Sequence, residues 1–259
     1  MNIRVDPDWW KEIFDEVYLL TDARSVCDEE ITRLEVDIIE ELLQIRPGQR
    51  ILDLCGGHGR HSLELCARGF NGCTLLDYSH CLLEIAKARA AEFGYSMEFT
   101  RGDARETGLP AATFDHVLIM GNSLGYAAEP EADARILAEA NRVLRPGGTI
   151  LVDVANGRAV KESFTSSAWH EIGDDIIVCR ERELQHDRVL AREVVVSKKR
   201  GLVRDCTYAM RLYFPESLEA LLREAAFESI IVRTRFAPHR RKGDYGFMNK
   251  RMLATGCKR

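Results

Sequence analysis

The sequence predicts an α/β chain: a doubly wound, seven-stranded, mostly parallel sheet carrying an antiparallel β insertion after its fifth strand. Three observations predict it. At residues 50–61 an apolar run ends in Gly56, Gly57 and Gly59 and passes into a helical pattern. Strand, glycine turn, helix is how an open α/β sheet starts a site for a nucleotide-like ligand, because glycine lets the backbone approach it and the helix end offers unpaired N–H donors. Short apolar runs then alternate with helical patterns as far as residue 154, as parallel strands with helical crossovers require. From 155 to 214 the alternation stops, and β-like runs follow one another across short polar turns.

Composition fits an ordinary globular chain of 259 residues, 46% hydrophobic and 30% charged. A net charge of −5 gives no general attraction to nucleic acid or anionic membrane, so neither is expected as a partner. No stretch approaches the ~18 apolar residues of a membrane span. The first residues lack a signal-peptide core, and a cytoplasmic protein is expected. The eight cysteines form no Cys-x-x-Cys pair, and Cys55, Cys66, Cys73 and Cys179 fall in apolar patterns. They are expected to be reduced core residues, with no metal site.

Taken in order, residues 7–20 read as one amphipathic helix or two short ones, with Trp9, Trp10, Phe14 and Tyr18 on an aromatic face. Residues 30–44 read as a helix with Ile31, Leu34, Ile38, Ile39, Leu42 and Leu43 on one side, stopped by Pro47-Gly48. The first strand is 51–54, and the helix after the glycines ends at Gly69. Residues 73–77 give the second strand, ending in Asp77, 24 positions after Asp53. Doubly wound folds place there an acid that accepts hydrogen bonds from a ribose, and Tyr78 would flank the base. Ser79 can cap the helix of 80–93. Strands follow at 97–100 and 114–120, then a helix over 131–144 and a fifth strand to Asp153, entered through Pro146-Gly147-Gly148, a tight reversal needing positive φ.

Within 155–214, runs from 176 to 184, 189 to 196 and 202 to 213 read as strands, with hairpin turns at 185–188 and 198–201. Pro215 opens a helix to about 227, and 230–236 and 251–257 are the last two strands of the main sheet. The expected organisation is an N-terminal helical lid at 1–45, a core at 46–154 and 215–259, and an insertion at 155–214 that caps a substrate. The alternative use of that inserted sheet is a homodimer contact.

The motif Asp53-x-Cys55-x-Gly57-x-Gly59, followed by Asp77, Gly102-Asp103 and Pro146-Gly147-Gly148, resembles that of class I S-adenosylmethionine-dependent methyltransferases. A carboxylate in the first strand would repel a pyrophosphate but suits a ligand with an ammonium group. Cys55 stands where the family has glycine; an ordinary φ is expected for Cys, leaving Gly56 to absorb the turn. The resemblance covers 50–154 well and 215–257 loosely. It implies a closing hairpin of strands six and seven with seven antiparallel, and N-terminal helices lying over the site. It also implies S-adenosylmethionine as cofactor with S-adenosylhomocysteine as product. The cofactor site would comprise Asp53, Cys55, Gly57, Gly59, Asp77, Tyr78, Asp103, Ala104 and Met120. Asp103 would meet the adenine amino group, Met120 the amino-acid end, and the methyl group would be presented near 121–126.

Methyl transfer is an in-line displacement that needs alignment and exclusion of water, so no catalytic residue is assigned from sequence. An acidic nucleophile needs a base, for which His170, His186, His239, Tyr126, Tyr208, Tyr213 and Tyr245 are candidates. His58 and His61 flank the glycine turn, and His61, on the first helical turn, is expected to cap or pack. Substrate contacts are expected at Asn122, Tyr126, Arg211 and Tyr213, with Ser123 beside them, and an anionic group could meet Arg240, Arg241 or Lys242. The function expected is transfer of a methyl group to an O, N or C atom of a small molecule. Rival readings are a binding protein that keeps the pocket without catalysis and an NAD(P)-dependent oxidoreductase. The latter is disfavoured because Ser62 replaces the third glycine of its fingerprint.

Overall fold

The computed structural model describes residues 3–129, 131–239, 245 and 247–259. Arg240, Arg241 and Lys242 lie outside the described residues. The chain begins with a 3-10 turn at Trp9–Lys11 and three helices, α1 (Glu16–Thr21), α2 (Ala23–Val26) and α3 (Glu29–Leu43). Of the two readings of 7–20, one helix or two short ones, the structure has two short pieces: Asp15 caps α1 by accepting from the Val17 and Tyr18 amides, so the chain restarts there. The core follows as β1 (Ile51–Leu54), α4 (Arg60–Ala67), β2 (Cys73–Asp77), α5 (His80–Phe93), β3 (Glu98–Arg101), β4 (Phe114–Ile119), α6 (Glu131–Val143) and β5 (Leu144–Ala155). Ser79 caps α5 through Leu82 N, and Gly147 takes a φ of 78° at the entry to β5.

After β5 comes a short helix, α7 (Gly157–Glu162), then β6 (Ser167–Ile172), β7 (Ile176–Gln185), β8 (Arg188–Ser197) and β9 (Gly201–Arg211). Helix α8 (Pro215–Glu224) and strands β10 (Phe227–Phe236) and β11 (Arg251–Lys258) complete the chain. The main sheet has seven strands in the order β10-β11-β5-β4-β1-β2-β3. Strands β1 to β5 run parallel, and β11 is antiparallel to both β5 and β10. The fold class read from the sequence is met, including the antiparallel insertion, a separate four-stranded sheet ordered β6-β7-β8-β9.

Both faces of the main sheet are covered. Leu52 and Leu54 of β1 pack with Ile136, Leu137, Leu218 and Leu222 of α6 and α8. Ile51 turns the other way, to Val36, Ile39 and Leu65 of α3 and α4. Strand order reverses at β1, whose neighbours are β4 and β2, so the loops leaving β1 and β4 diverge and open a crevice at the carboxyl ends. All eight cysteines are free, but Cys179 points outward from β7 and is exposed, contrary to its expected place in the core.

In the insertion, strand alternation decides what faces inward. Ile176, Val178, Arg180 and Arg182 of β7 share one buried face, as do Val189, Ala191, Glu193 and Val195 of β8. Two arginines and a glutamate thus replace apolar residues on the inner side of a sheet.

Candidate functional site

The crevice holds two cavities that share a wall. The first, about 1070 Å³ counted out to open solvent, is lined from the glycine turn, the ends of β2 and β4, the loop after β3 and the N-terminal helices. The second, about 770 Å³ on the same measure, lies between the N-terminal helices, the end of β4 and the inner face of the inserted sheet. Phe14, Tyr18, Val26, Gly121 and Tyr126 line both. Volumes of this order match small-ligand sites, typically ~300–1,000 Å³.

The glycine turn is built differently from expectation. Cys55 itself adopts the left-handed conformation, with φ 60°, and Gly56 is not among the positive-φ residues. What excludes a side chain at Gly56 is space: a Cβ there would lie 2.3 Å from Leu75 Cδ1 and 2.6 Å from Asp53 Cγ. Asp53 therefore sits beneath the turn. It is fully buried and does not line the cavity; its Oδ2 accepts from Ser62 Oγ at 2.7 Å. Gly59 (φ 72°) also stays off the cavity, because it is where α4 closes on α5: a Cβ there would meet Ala86 at 3.2 Å.

Cys55, Gly57, Asp77, Tyr78, Asp103, Ala104 and Met120 do line the first cavity. Asp77 Oδ2 accepts from Gly57 N at 2.7 Å and Oδ1 from Ser79 N at 2.8 Å. Burial outweighs those bonds and, with Asp53 nearby, raises its carboxyl to about 6. Burial also acts to raise Asp103, but its bidentate contact with Arg105 prevails and holds it below the usual range. The Arg105 guanidinium lies 5.1 Å from the Trp10 ring, and Trp10 meets Tyr78 edge-on at 4.9 Å, so this end is closed by planar groups in contact.

Asn122 and Tyr126 line the second cavity. Asn122 Oδ1 accepts from Ala155 N at 2.7 Å, which ties the loop after β4 to the end of β5. Ser123 lines the first cavity, its hydroxyl donating to the Met120 carbonyl at 2.8 Å. Arg211 and Tyr213, expected as substrate contacts, line neither cavity. Both are drawn onto the buried Asp133, which also accepts from Gly125 N at 3.0 Å. Of the base candidates, Tyr126, Tyr208 and Tyr245 reach the second cavity, whereas His170 lies on β6 and His186 in a hairpin turn. His239 stacks on Tyr245 at 4.2 Å. His61 is buried with Nε2 2.9 Å from Glu35, the packing role expected of it.

The sequence reading missed Arg180, Arg182, Arg204 and Glu193, which line the second cavity. The signal was present for two strands: counting by twos from Val178 and from Ala191 puts Arg180, Arg182 and Glu193 on the core face. Trp9 completes the cavity, edge-on to Tyr126 at 5.2 Å and 5.7 Å from Tyr208. Among the described residues no cluster of His, Cys, Asp and Glu could hold a metal, and no helix is long and apolar enough to cross a membrane.

Comparison with known proteins agrees with this geometry. Residues 51–148 match the family model described as a methyltransferase domain. A ubiquinone/menaquinone biosynthesis C-methyltransferase from Ruegeria sp. (strain TM1040) is 34% identical over 137 residues, 52% of this chain and 52% of that protein. Over residues 51–148 the chain is similar to methyltransferases. The chain thus spans about half the length of that curated relative. The CcbJ methyltransferase from Streptomyces caelestis superposes with a TM-score of 0.76 at 18% identity, covering 98% of this chain and 100% of that one, a likeness of fold. The [4+2]-cyclase SpnF shares the fold too, with a TM-score of 0.57, 20% identity and coverage of 88% and 81%. The family's cofactor is S-adenosylmethionine, and the first cavity fits it: a backbone turn kept bare by Gly56, a carboxylate at the end of β2, and planar groups around Tyr78 and Trp10.

Proposed function

We propose that this methyltransferase transfers a methyl group to an O, N or C atom of a small molecule held in the second cavity. The observation that carries the reading is the shared wall, where Gly121 and Tyr126 at the end of β4 border both cavities. Bound in the first cavity, the cofactor would supply an already activated methyl group. The chain's own residues align the acceptor, bury it and exclude water. Trp9, Phe14, Tyr126 and Tyr208 form an aromatic surface suited to a ring, and Arg180, Arg182, Arg204, Asp22 and Glu193 supply polar contacts. Burial raises the Tyr126 phenol and pushes Tyr208 up to about 12, so both act as hydrogen-bond donors near neutral pH rather than as bases. Burial likewise raises Glu193 against the pull of Arg180, which makes it the better-placed proton acceptor. The N-terminal helices would serve as the lid and the inserted sheet as the floor of the acceptor site.

The relative named for quinone biosynthesis methylates carbon, and that substrate class is one member of the panel to test. Because a cyclase shares the fold, binding and transfer need separate measurement. Calorimetric titration should show S-adenosylhomocysteine binding in the micromolar range and NADH not binding. A methyl-transfer screen over aromatic and polar ring compounds should then yield a product. Binding without transfer to any of them would favour the non-catalytic reading, and NADH binding alone would overturn the assignment of the first cavity.

A further inference from the structure

A third cavity, about 930 Å³ on the same measure, opens beside the second. It lies between α7, the start of β6, strand β7 and residues 245–250. Arg182, Tyr245 and Phe247 line both, so the second and third cavities share a wall as the first and second do. Within that wall the Arg182 guanidinium lies 5.7 Å from the Phe247 ring. The two spaces differ in chemistry. Trp9, Phe14, Tyr126 and Tyr208 give the second an aromatic surface, whereas Ser163, Thr165, Ser167, Asn249 and Lys250 line the third. The Ser163 hydroxyl donates to the Ala159 carbonyl at 2.7 Å and keeps its lone pairs for an incoming donor. Asn249 Oδ1 is buried with no hydrogen-bond partner among the described residues.

A buried acceptor left without a donor is costly, so one in a cavity wall marks where a ligand can supply the missing bond. The last torsion of an asparagine is soft, and its amide can turn either end toward that ligand. Serine and threonine hydroxyls and the Asn249 amide both donate and accept, while the Lys250 ammonium only donates. A ligand hydroxyl pairs with every one of these groups, because it too donates and accepts. A carboxylate or an ionised phosphate only accepts, and would leave Asn249 Oδ1 unanswered. We propose that the second and third cavities form one acceptor site for a ring compound that carries a hydroxyl-rich, sugar-like substituent. The ring lies among Trp9, Phe14, Tyr126 and Tyr208, and the substituent reaches past Arg182 and Phe247 to Asn249, Lys250 and the serine and threonine hydroxyls. This rests on the methyltransferase reading and deepens it by naming the class of acceptor.

The test is calorimetric titration, in saturating S-adenosylhomocysteine, with 1-naphthol, its β-glucoside and its phosphate ester. The glucoside should bind at least about tenfold more tightly than naphthol, as two or more net hydrogen bonds give, and the phosphate no more tightly than the glucoside. Asn249→Leu should weaken the glucoside roughly 3- to 10-fold, the range for one hydrogen bond, and change naphthol by less than about twofold. Ala168→Phe adds bulk at the wall of the third cavity and should erase the preference for the glucoside. The affinity of each variant for S-adenosylhomocysteine, which is read in the first cavity, shows whether it has folded. Equal binding of naphthol and glucoside, binding of neither, or a phosphate held more tightly than the glucoside would overturn the proposal while leaving the methyltransferase reading intact. The last of these would give the third cavity to an anion at Lys250. Failure of the wild-type protein to bind S-adenosylhomocysteine would remove that reading, and the proposal with it.

Discussion

At the turn after β1, two adjacent residues break the expected pattern in opposite senses. Cys55 holds a left-handed backbone that costs a non-glycine residue ~1–2 kcal/mol, while Gly56 has an ordinary φ but no room for a methyl group. Cys55→Gly should therefore leave stability within about 1 kcal/mol, relief of strain being offset by a more flexible unfolded chain. Gly56→Ala should cost more than about 2 kcal/mol in urea denaturation, because Leu75 and Asp53 must both move. A reversed order would show that φ, not space, limits the turn. Asp77 gives a second prediction. Its folded value near 6 exceeds the ordinary 3.8, so this carboxyl favours folding below about pH 4 and ceases to as pH rises through 6. Ligand binding runs the other way, because the ionised form is the better acceptor for ribose hydroxyls. S-adenosylhomocysteine affinity should be flat above pH 7 and fall by up to tenfold per unit below about 6. An affinity unchanged down to pH 5 would remove Asp77 from ribose recognition.

The elements of the core were legible because each carries its own local signal: apolar runs for strands, Ser79 and Pro215 for helix starts, Gly147 for a turn. Helix α7 was not, since six residues begun by Asn156-Gly157 look like a loop, and its cap forms only when Asn156 accepts from Arg158 and Ala159. Arg211 and Tyr213 were misplaced for a different reason. Their partner Asp133 looks like an ordinary polar residue on α6, and a pairing across 78 or 80 positions leaves no mark in the sequence. The N-terminal segment is likewise defined by distant contacts. Ser79 Oγ donates to the Phe14 carbonyl at 2.6 Å, Arg204 reaches the Ile13 carbonyl at 3.2 Å, and Arg180 pairs with Asp22. It puts Trp10, Phe14, Tyr18 and Val26 against the first cavity. A ligand there should therefore hold the segment closed. Proteolysis within residues 3–27 should slow in saturating S-adenosylhomocysteine, by up to about 100-fold at 100 times the dissociation constant. Protection no greater than that of the β6-β7-β8-β9 sheet would argue against a lid.

Across the whole molecule, the two ends of the chain meet in one buried charge cluster. Arg251 of β11 is almost wholly buried and bonds both Glu35 of α3 and Asp153 of β5, while Arg60 of α4 and His61 complete the shell of Glu35. Burial alone would raise Glu35, but Arg60 and Arg251 overcome it and hold the carboxyl well below the usual range. Asp153 in turn accepts from Gly121 N at 3.0 Å, so the cluster also sets the position of the β4 end where the two cavities meet. Arg251→Met keeps much of the side-chain volume but leaves Asp153 without its cation and Glu35 with Arg60 alone, which should cost about 3–5 kcal/mol at pH 7. The sign with pH discriminates charge from packing. A carboxyl whose folded pKa is depressed lends stability above its unfolded pKa and loses it as pH falls through the folded one. In the variant, Glu35 loses one of the two arginines that hold it down and Asp153 loses the arginine that opposes its burial, so both take up protons at higher pH than in the parent. The gap in urea stability between variant and parent should therefore narrow from pH 7 to pH 4.5. A gap of equal size at both values would mean that Arg251 acts through its packing against the Phe236 ring, 4.7 Å away, rather than through its charge.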